Sequence, residues 1–145
     1  MSVRIISQSD AQRLLPVGEC VGLMAATLRS LASGDAFQPL RSILWLPDRS
    51  GLLGTMPAYL GTPRVIGVKV ITVMPGNHGS PLDSHQGAVL LFEADRGVLL
   101  AIVDATSITT IRTAAVSAAA TDALARRAAT NVAILGSGVQ ARAHL

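Results

Sequence analysis

Cysteine is almost absent: in 145 residues only Cys20 carries a thiol. One cysteine closes no internal disulfide, which favours a reducing, cytoplasmic setting. Lysine is just as scarce, because the twelve basic residues are eleven arginines and Lys69. Aromatic residues make up 3% and charged residues 14% of the chain, and the net charge is +3. With no basic run beyond Arg126-Arg127, nucleic-acid binding has little support. No uncharged apolar run approaches the ~20 residues that a membrane span needs. Gln8, Ser9, Asp10, Gln12 and Arg13 interrupt the stretch where a signal peptide would place its apolar segment. Three scattered histidines (His78, His85, His144) and one cysteine make no zinc constellation. A Gly-x-Ser-x-Gly elbow is missing, which argues against a serine hydrolase, and Asp83, Glu93 and Asp104 form no paired-carboxylate pattern.

What is there is an apolar chain, 50% hydrophobic, able to build a core and not compatible with disorder. Val3–Ile6 reads as a short strand. Ser9 and Gln12 have capping-box spacing for a helical turn reaching Leu15. Pro16 and Gly34 bracket a second helix, whose Val17, Val21, Met24, Leu28 and Leu31 recur on one face and predict core packing. Strands are expected at Leu40–Leu46, Leu52–Ala58, Val65–Val73, Gly87–Glu93 and Val98–Val103. Asp48–Gly51 and Ala94–Gly97 read as hairpin turns in which a glycine supplies the positive φ. Pro75–Pro81 reads as a loop. Consecutive strands with tight turns predict an antiparallel sheet. The alanine-rich Ser107–Arg127 lacks Gly and Pro and predicts a long helix. Asn131–Leu135 then reads as a short strand of the apolar, buried type. The organisation is an α+β domain, a connecting helix, and the first strand and turn of a further unit.

That last turn carries the clearest chemical motif. Gly136, Gly138 and Ala141 form G-x-G-x-x-A, the dinucleotide-binding fingerprint in its Ala-ended form. Gly136 permits the turn, Gly138 lets backbone approach a pyrophosphate, and Ala141 keeps the next helix close to the strand. The motif is weak alone, but here it follows an apolar segment and precedes a helix-compatible one. The acidic residue that would choose between NAD and NADP is expected ~20 residues further on, beyond Leu145.

Lys69 lies in the middle of an apolar strand. It is either an edge-strand lysine that discourages aggregation, a snorkelling stem, or a compact titratable ammonium chosen where arginine would not serve. Arg41 and Arg112 also interrupt apolar segments. Each is a solvated residue on an open face, or the three cations converge on a carboxylate or phosphate. His85 follows Ser84, but neighbours on an extended chain point to opposite faces, so the pair is not read as nucleophile and base.

Taken together, Gly67-Val-Lys-Val, Pro75-Gly-Asn, Ser84–Phe92, the Ile-Thr-x-x-Arg-Thr-Ala-Ala stretch ending at Ala115, and Val132–Ala141 resemble the N-terminal portion of the ornithine cyclodeaminase/mu-crystallin family. The resemblance runs over essentially the whole chain. It implies an α+β substrate-binding and dimerisation domain (1–115, with the connecting helix starting near 107). Residues 116–145 are then that helix and the first βα turn of an incomplete α/β Rossmann domain. It implies an NAD- or NADP-dependent homodimeric enzyme of amino-acid metabolism. The leading expectation is an ornithine cyclodeaminase, forming proline and ammonia by hydride transfer at the α-carbon. The alternatives are a cyclic ketimine (1-pyrroline-2-carboxylate) reductase, an alanine dehydrogenase, or a non-catalytic ligand-binding relative. By position, the resemblance implies that Arg41, Lys69 and Arg112 hold the substrate carboxylate, with Lys69 taking part in proton transfer. Ser84, Arg112, Thr113, Gly136, Gly138, Val139 and Gln140 are implied at the cofactor. The family's catalytic aspartate is expected beyond Leu145, and the 145-residue chain alone is expected to bind NAD poorly and to expose the apolar strand Val132–Leu135.

Overall fold

A computed structural model describes residues 2–145. Strand β1 (Arg4–Ile6) leads into helix α1 (Gln8–Leu14) and helix α2 (Val17–Ser33). Strands β2 (Ala36–Phe37), β3 (Ser42–Trp45), β4 (Leu52–Leu60), β5 (Val65–Val73), β6 (His85–Glu93) and β7 (Leu99–Asp104) follow, with a 3₁₀ turn at Pro75–Asn77. Helix α3 (Ala105–Leu124) and the short α4 (Val139–Ala143) complete the chain.

One seven-stranded sheet runs in the order β1-β7-β6-β5-β4-β2, and β3 also pairs with β4. The expected antiparallel sheet holds for β2 through β7, but β1 joins β7 in parallel, so the sheet is mixed. The exchange follows from connectivity: α1, α2 and the whole meander separate β1 from β7, which frees β1 to run either way.

Local chemistry explains the boundaries. The capping box of α1 is Ser7 with Asp10, not Ser9 with Gln12: the Asp10 amide donates to Ser7 Oγ and Ser7 N–H donates back to the Asp10 carboxylate. An anionic carboxylate at N3 is also favoured by the helix dipole. Gly34 closes α2 in the left-handed region at φ 84°. In the first hairpin the positive φ falls on Arg49 rather than on glycine. Asp48 holds that turn by accepting from the Ser50 amide, whereas Gly97 does supply φ 69° in the Ala94–Gly97 turn.

The predicted core stripe of α2 is only partly buried. Cys20, with Val21 and Met24 beside it, packs on Ile111 and Ala115 of α3. Val17, Leu28 and Leu31 keep 39%, 46% and 44% of their surface exposed. Only the first half of α2 lies on α3. Its second half overhangs β2, β4 and β5, where Leu31, Phe37, Tyr59 and Val65 enclose an apolar cavity of about 200 Å³.

The sharpest departure is at the C-terminal end. Asn131–Leu135 forms no strand, whereas its exposure is as expected, with Val132 and Leu135 at 81% and 97%. A lone strand has no partner for its amides and carbonyls, so an apolar pattern without a sheet to join gives no ladder. Beyond it, α4 packs on α3, where His144 Nε2 meets Ser117 Oγ at 2.9 Å. Among the described residues no single helix is long and apolar enough to cross a membrane.

Candidate functional site

The site is built on the junction between the sheet and α3. Asp104 ends β7 and caps α3, its carboxylate accepting from the Ser107 amide at 2.7 Å and from the Ser107 hydroxyl. Ser107 is thereby buried without an unpaired polar atom. Thr106 donates to the His85 carbonyl at 3.1 Å, tying the first turn of α3 to the start of β6.

Lys69 sits in β5 between Met56 of β4 and Val89 of β6. It is therefore central, and the edge-strand reading is overturned. Side chains alternate across a sheet, so Lys69 shares its face with Ile71, the face over which α3 lies. Its Nζ donates to Thr109 Oγ1 of α3 at 3.3 Å. Burial pushes the Lys69 ammonium below the usual lysine range, and the nearby guanidiniums of Arg112 and Arg41 push it further the same way. The three cations are near enough for the two guanidiniums to act on Lys69: Arg112 comes from α3, Lys69 from β5, and Arg41 from the segment just before β3 rather than from within a strand. Among the described residues, neither Lys69, Arg41 nor Arg112 forms a salt bridge. Three positive charges without a carboxylate among them make a receptor for an anion.

Beside this cluster lies an open cavity of about 700 Å³. One wall is Ile71, His78, Asp83, Ser84 and His85; a second is Thr106, Thr109, Thr110 and Thr113 of α3; a third is Gly138, Val139, Gln140 and Arg142. Five of the residues expected at a cofactor (Ser84, Thr113, Gly138, Val139 and Gln140) thus line one space. Gly136 is not on the wall; its φ of 113° turns the chain into α4. Lys69, Arg41 and Arg112 are not on the wall either, and Thr109 is the contact between their cluster and the cavity. Ser84 Oγ and His85 Nδ1 lie 3.2 Å apart, so the expectation that these neighbours diverge is corrected. Ser84 precedes β6, where the pleat that would separate them has not begun. The Gln140 Oε1 is buried with no hydrogen-bond partner.

Sequence reasoning did not single out Thr106, Thr109, Thr110 or Arg142. The signal for the threonines was available: positions 106, 109, 110 and 113 fall at the three- and four-residue spacing that puts them on one helical face.

Comparison with known proteins places this geometry. The family model described as "Ornithine cyclodeaminase/mu-crystallin family" matches residues 2–145. A ketimine reductase mu-crystallin of Mus musculus is 41% identical over 111 residues, 77% of this chain and 36% of that protein. A delta(1)-pyrroline-2-carboxylate reductase of Bacillus cereus is 30% identical over 138 residues, 95% of this chain and 42% of that protein. Among solved structures, the Thermococcus litoralis delta(1)-pyrroline-2-carboxylate reductase in complex with NADH and L-proline superimposes with a TM-score of 0.91 at 34% identity. That match covers 97% of this chain and 44% of the other. An archaeal alanine dehydrogenase dimer with bound NAD also reaches 0.91, at 29% identity, covering 99% and 43%. The chain thus spans about two fifths of the length of the relatives it matches.

Proposed function

The chain belongs to the ornithine cyclodeaminase/mu-crystallin family, and on that premise we propose that it provides the substrate half of a nicotinamide-dependent reductase of cyclic imino acids. The activity is that of a polypeptide in which residues 1–115 bind substrate and residues 116–145 open a dinucleotide-binding sheet. The observation that carries this reading is the convergence of Lys69, Arg41 and Arg112 next to a cavity lined by Ser84, Thr113 and Gly138–Gln140. The reductase relatives favour ketimine reduction over ornithine cyclodeamination, which requires in addition a site for a second amine.

The residues fit a nicotinamide dinucleotide, NAD or NADP. Gly138 offers backbone without a side chain on the cavity wall, and the orphaned Gln140 Oε1 is an acceptor awaiting a hydroxyl or amide donor. When bound, such a cofactor supplies the hydride. The chain's own residues do the rest: the cations fix the carboxylate, which orients the carbon–nitrogen double bond. Lys69, held below its ordinary pKa and joined to the cavity wall through Thr109, is assigned as the source of the proton that the ring nitrogen takes up as the carbon is reduced.

A homodimer fits the opposite face of the sheet. Pro57, Val68, Leu90, Ile102 and Ile5 lie in one row across five strands on the side away from α3, and Ile5 is 79% exposed. The proposed partner is a second copy, as in the dimeric alanine dehydrogenase; sedimentation velocity should give twice the chain mass, and Leu90→Asp should return it to one.

The decisive assay follows NADH or NADPH oxidation with 1-pyrroline-2-carboxylate in the longer polypeptide. Lys69→Ala should lower kcat by about 10²–10⁴-fold, the usual worth of a positioned acid, with L-proline binding only weakened. No turnover in either protein, with retained ligand binding, would identify a binding protein instead.

A further inference from the structure

The four threonines on the cavity face of α3 use their hydroxyls differently. Thr106 donates to the His85 carbonyl at 3.1 Å, Thr110 to the Thr106 carbonyl at 3.0 Å and Thr113 to the Thr109 carbonyl at 2.6 Å. Bonding back to a carbonyl is the routine occupation of a helical threonine. Thr109 is the exception. Its oxygen accepts from Lys69 Nζ at 3.3 Å, and among the described residues no protein acceptor takes its own hydrogen.

Two further facts give this exception a use. Thr109 lines the 700 Å³ cavity whereas Lys69 does not, so the hydroxyl is the link through which the ammonium meets that space. Threonine is also stiff about χ1, whereas a lysine stem has four rotatable bonds. A rigid acceptor on the helix thus selects one direction for a flexible donor on the sheet.

We propose that Thr109 is a positioning residue, whose hydroxyl seats the Lys69 ammonium at the cavity wall and keeps its own hydrogen free to donate to an oxygen of a small carboxylate ligand. The inference rests on the reading of the cavity as the substrate site, and it concerns a residue that reading does not require. Replacing the hydroxyl by a methyl leaves the wall in place and removes the acceptor.

Because Lys69 is the chain's single lysine, protein grown on ¹³C,¹⁵N-lysine gives one side-chain Cε resonance, and its titration reports this group alone. Thr109→Val should lower the Lys69 midpoint by roughly half a unit to one unit, since an acceptor to the charged form is lost. Thr109→Ser should restore it. Should the valine variant fail to fold by circular dichroism, Thr109→Ala serves the same comparison. An unchanged midpoint in a folded valine or alanine variant overturns the proposal. In the longer polypeptide, the valine variant should lower kcat and move the alkaline limb of its pH profile to lower pH, with little change in KM for 1-pyrroline-2-carboxylate. An unshifted profile overturns the positioning role. A midpoint shift in a protein without any turnover upholds the seating of Lys69 and removes the reductase reading instead.

Discussion

The first 124 residues and the last twenty-one answer the same physical demands in opposite ways. From β1 through α3, every strand finds a partner in one sheet and the helices that cover it are capped or packed. From Ala125 onward, an apolar segment of equal β character finds none, and Val132 and Leu135 stand 81% and 97% exposed. Composition does not separate the two regions. Pairing does: a β pattern becomes a strand only where neighbouring backbone is available to complete it.

The contrast can be tested, and hydrogen exchange should register it most strongly. Amides of Val65–Val73 should open only with global unfolding, and those of Asn131–Leu135 almost freely. The expected gap is about 5 kcal/mol or more in opening free energy. Slow exchange in Asn131–Leu135 would abolish the distinction.

A cut into the ordered region should come next in size. Ile111 is 6% exposed in the cluster that joins α2 to α3, and Ile111→Ala should cost about 2–5 kcal/mol by urea unfolding. Loss of His144 at the other end should be smaller. His144→Ala removes the contacts to Ser117 and the Gln140 carbonyl, worth about 1 kcal/mol each. Faster exchange in Val139–Ala143 with an unchanged main transition is the expected result.

The smallest effect is one of pH. The folded-state pKa of Lys69 lies below its ordinary value, so the native protein releases this proton more readily than the unfolded chain. The resulting penalty is fully present below the folded pKa and fades as pH rises toward the ordinary lysine value. Lys69→Met should therefore flatten the rise of stability with pH on the alkaline side, seen by urea unfolding at several pH values. An identical slope in wild type and variant would remove the depressed pKa.

Much of the ordered region can be read from residues alone. Val65–Val73 has the same limits in sequence and structure, because an apolar β-branched run between turn residues leaves little choice. The capping box slipped by two residues because serines at 7 and 9 both satisfy the local pattern, and only the helix axis chooses between them. Lys69 stood equally for an edge or a centre until β4 and β6 were seen on either side. The cation cluster was accessible only by resemblance, since Arg41, Lys69 and Arg112 lie tens of residues apart and no periodicity relates them. Thr109 was hidden for another reason: four similar residues share its helix face, and what sets it apart is the partner across the sheet.

Asp104 is at once the last rung of β7 against Ala88 and the cap of α3. Strand and helix therefore share a single pivot with no slack between them. Twenty residues of helix at 1.5 Å each make an arm of about 30 Å. A rotation of about 5° at Asp104 would carry the far end of α3 through roughly 2.6 Å on that arm. The direction in which the residues after Leu124 leave the domain is thus set at Asp104, by the same carboxylate that ends the strand.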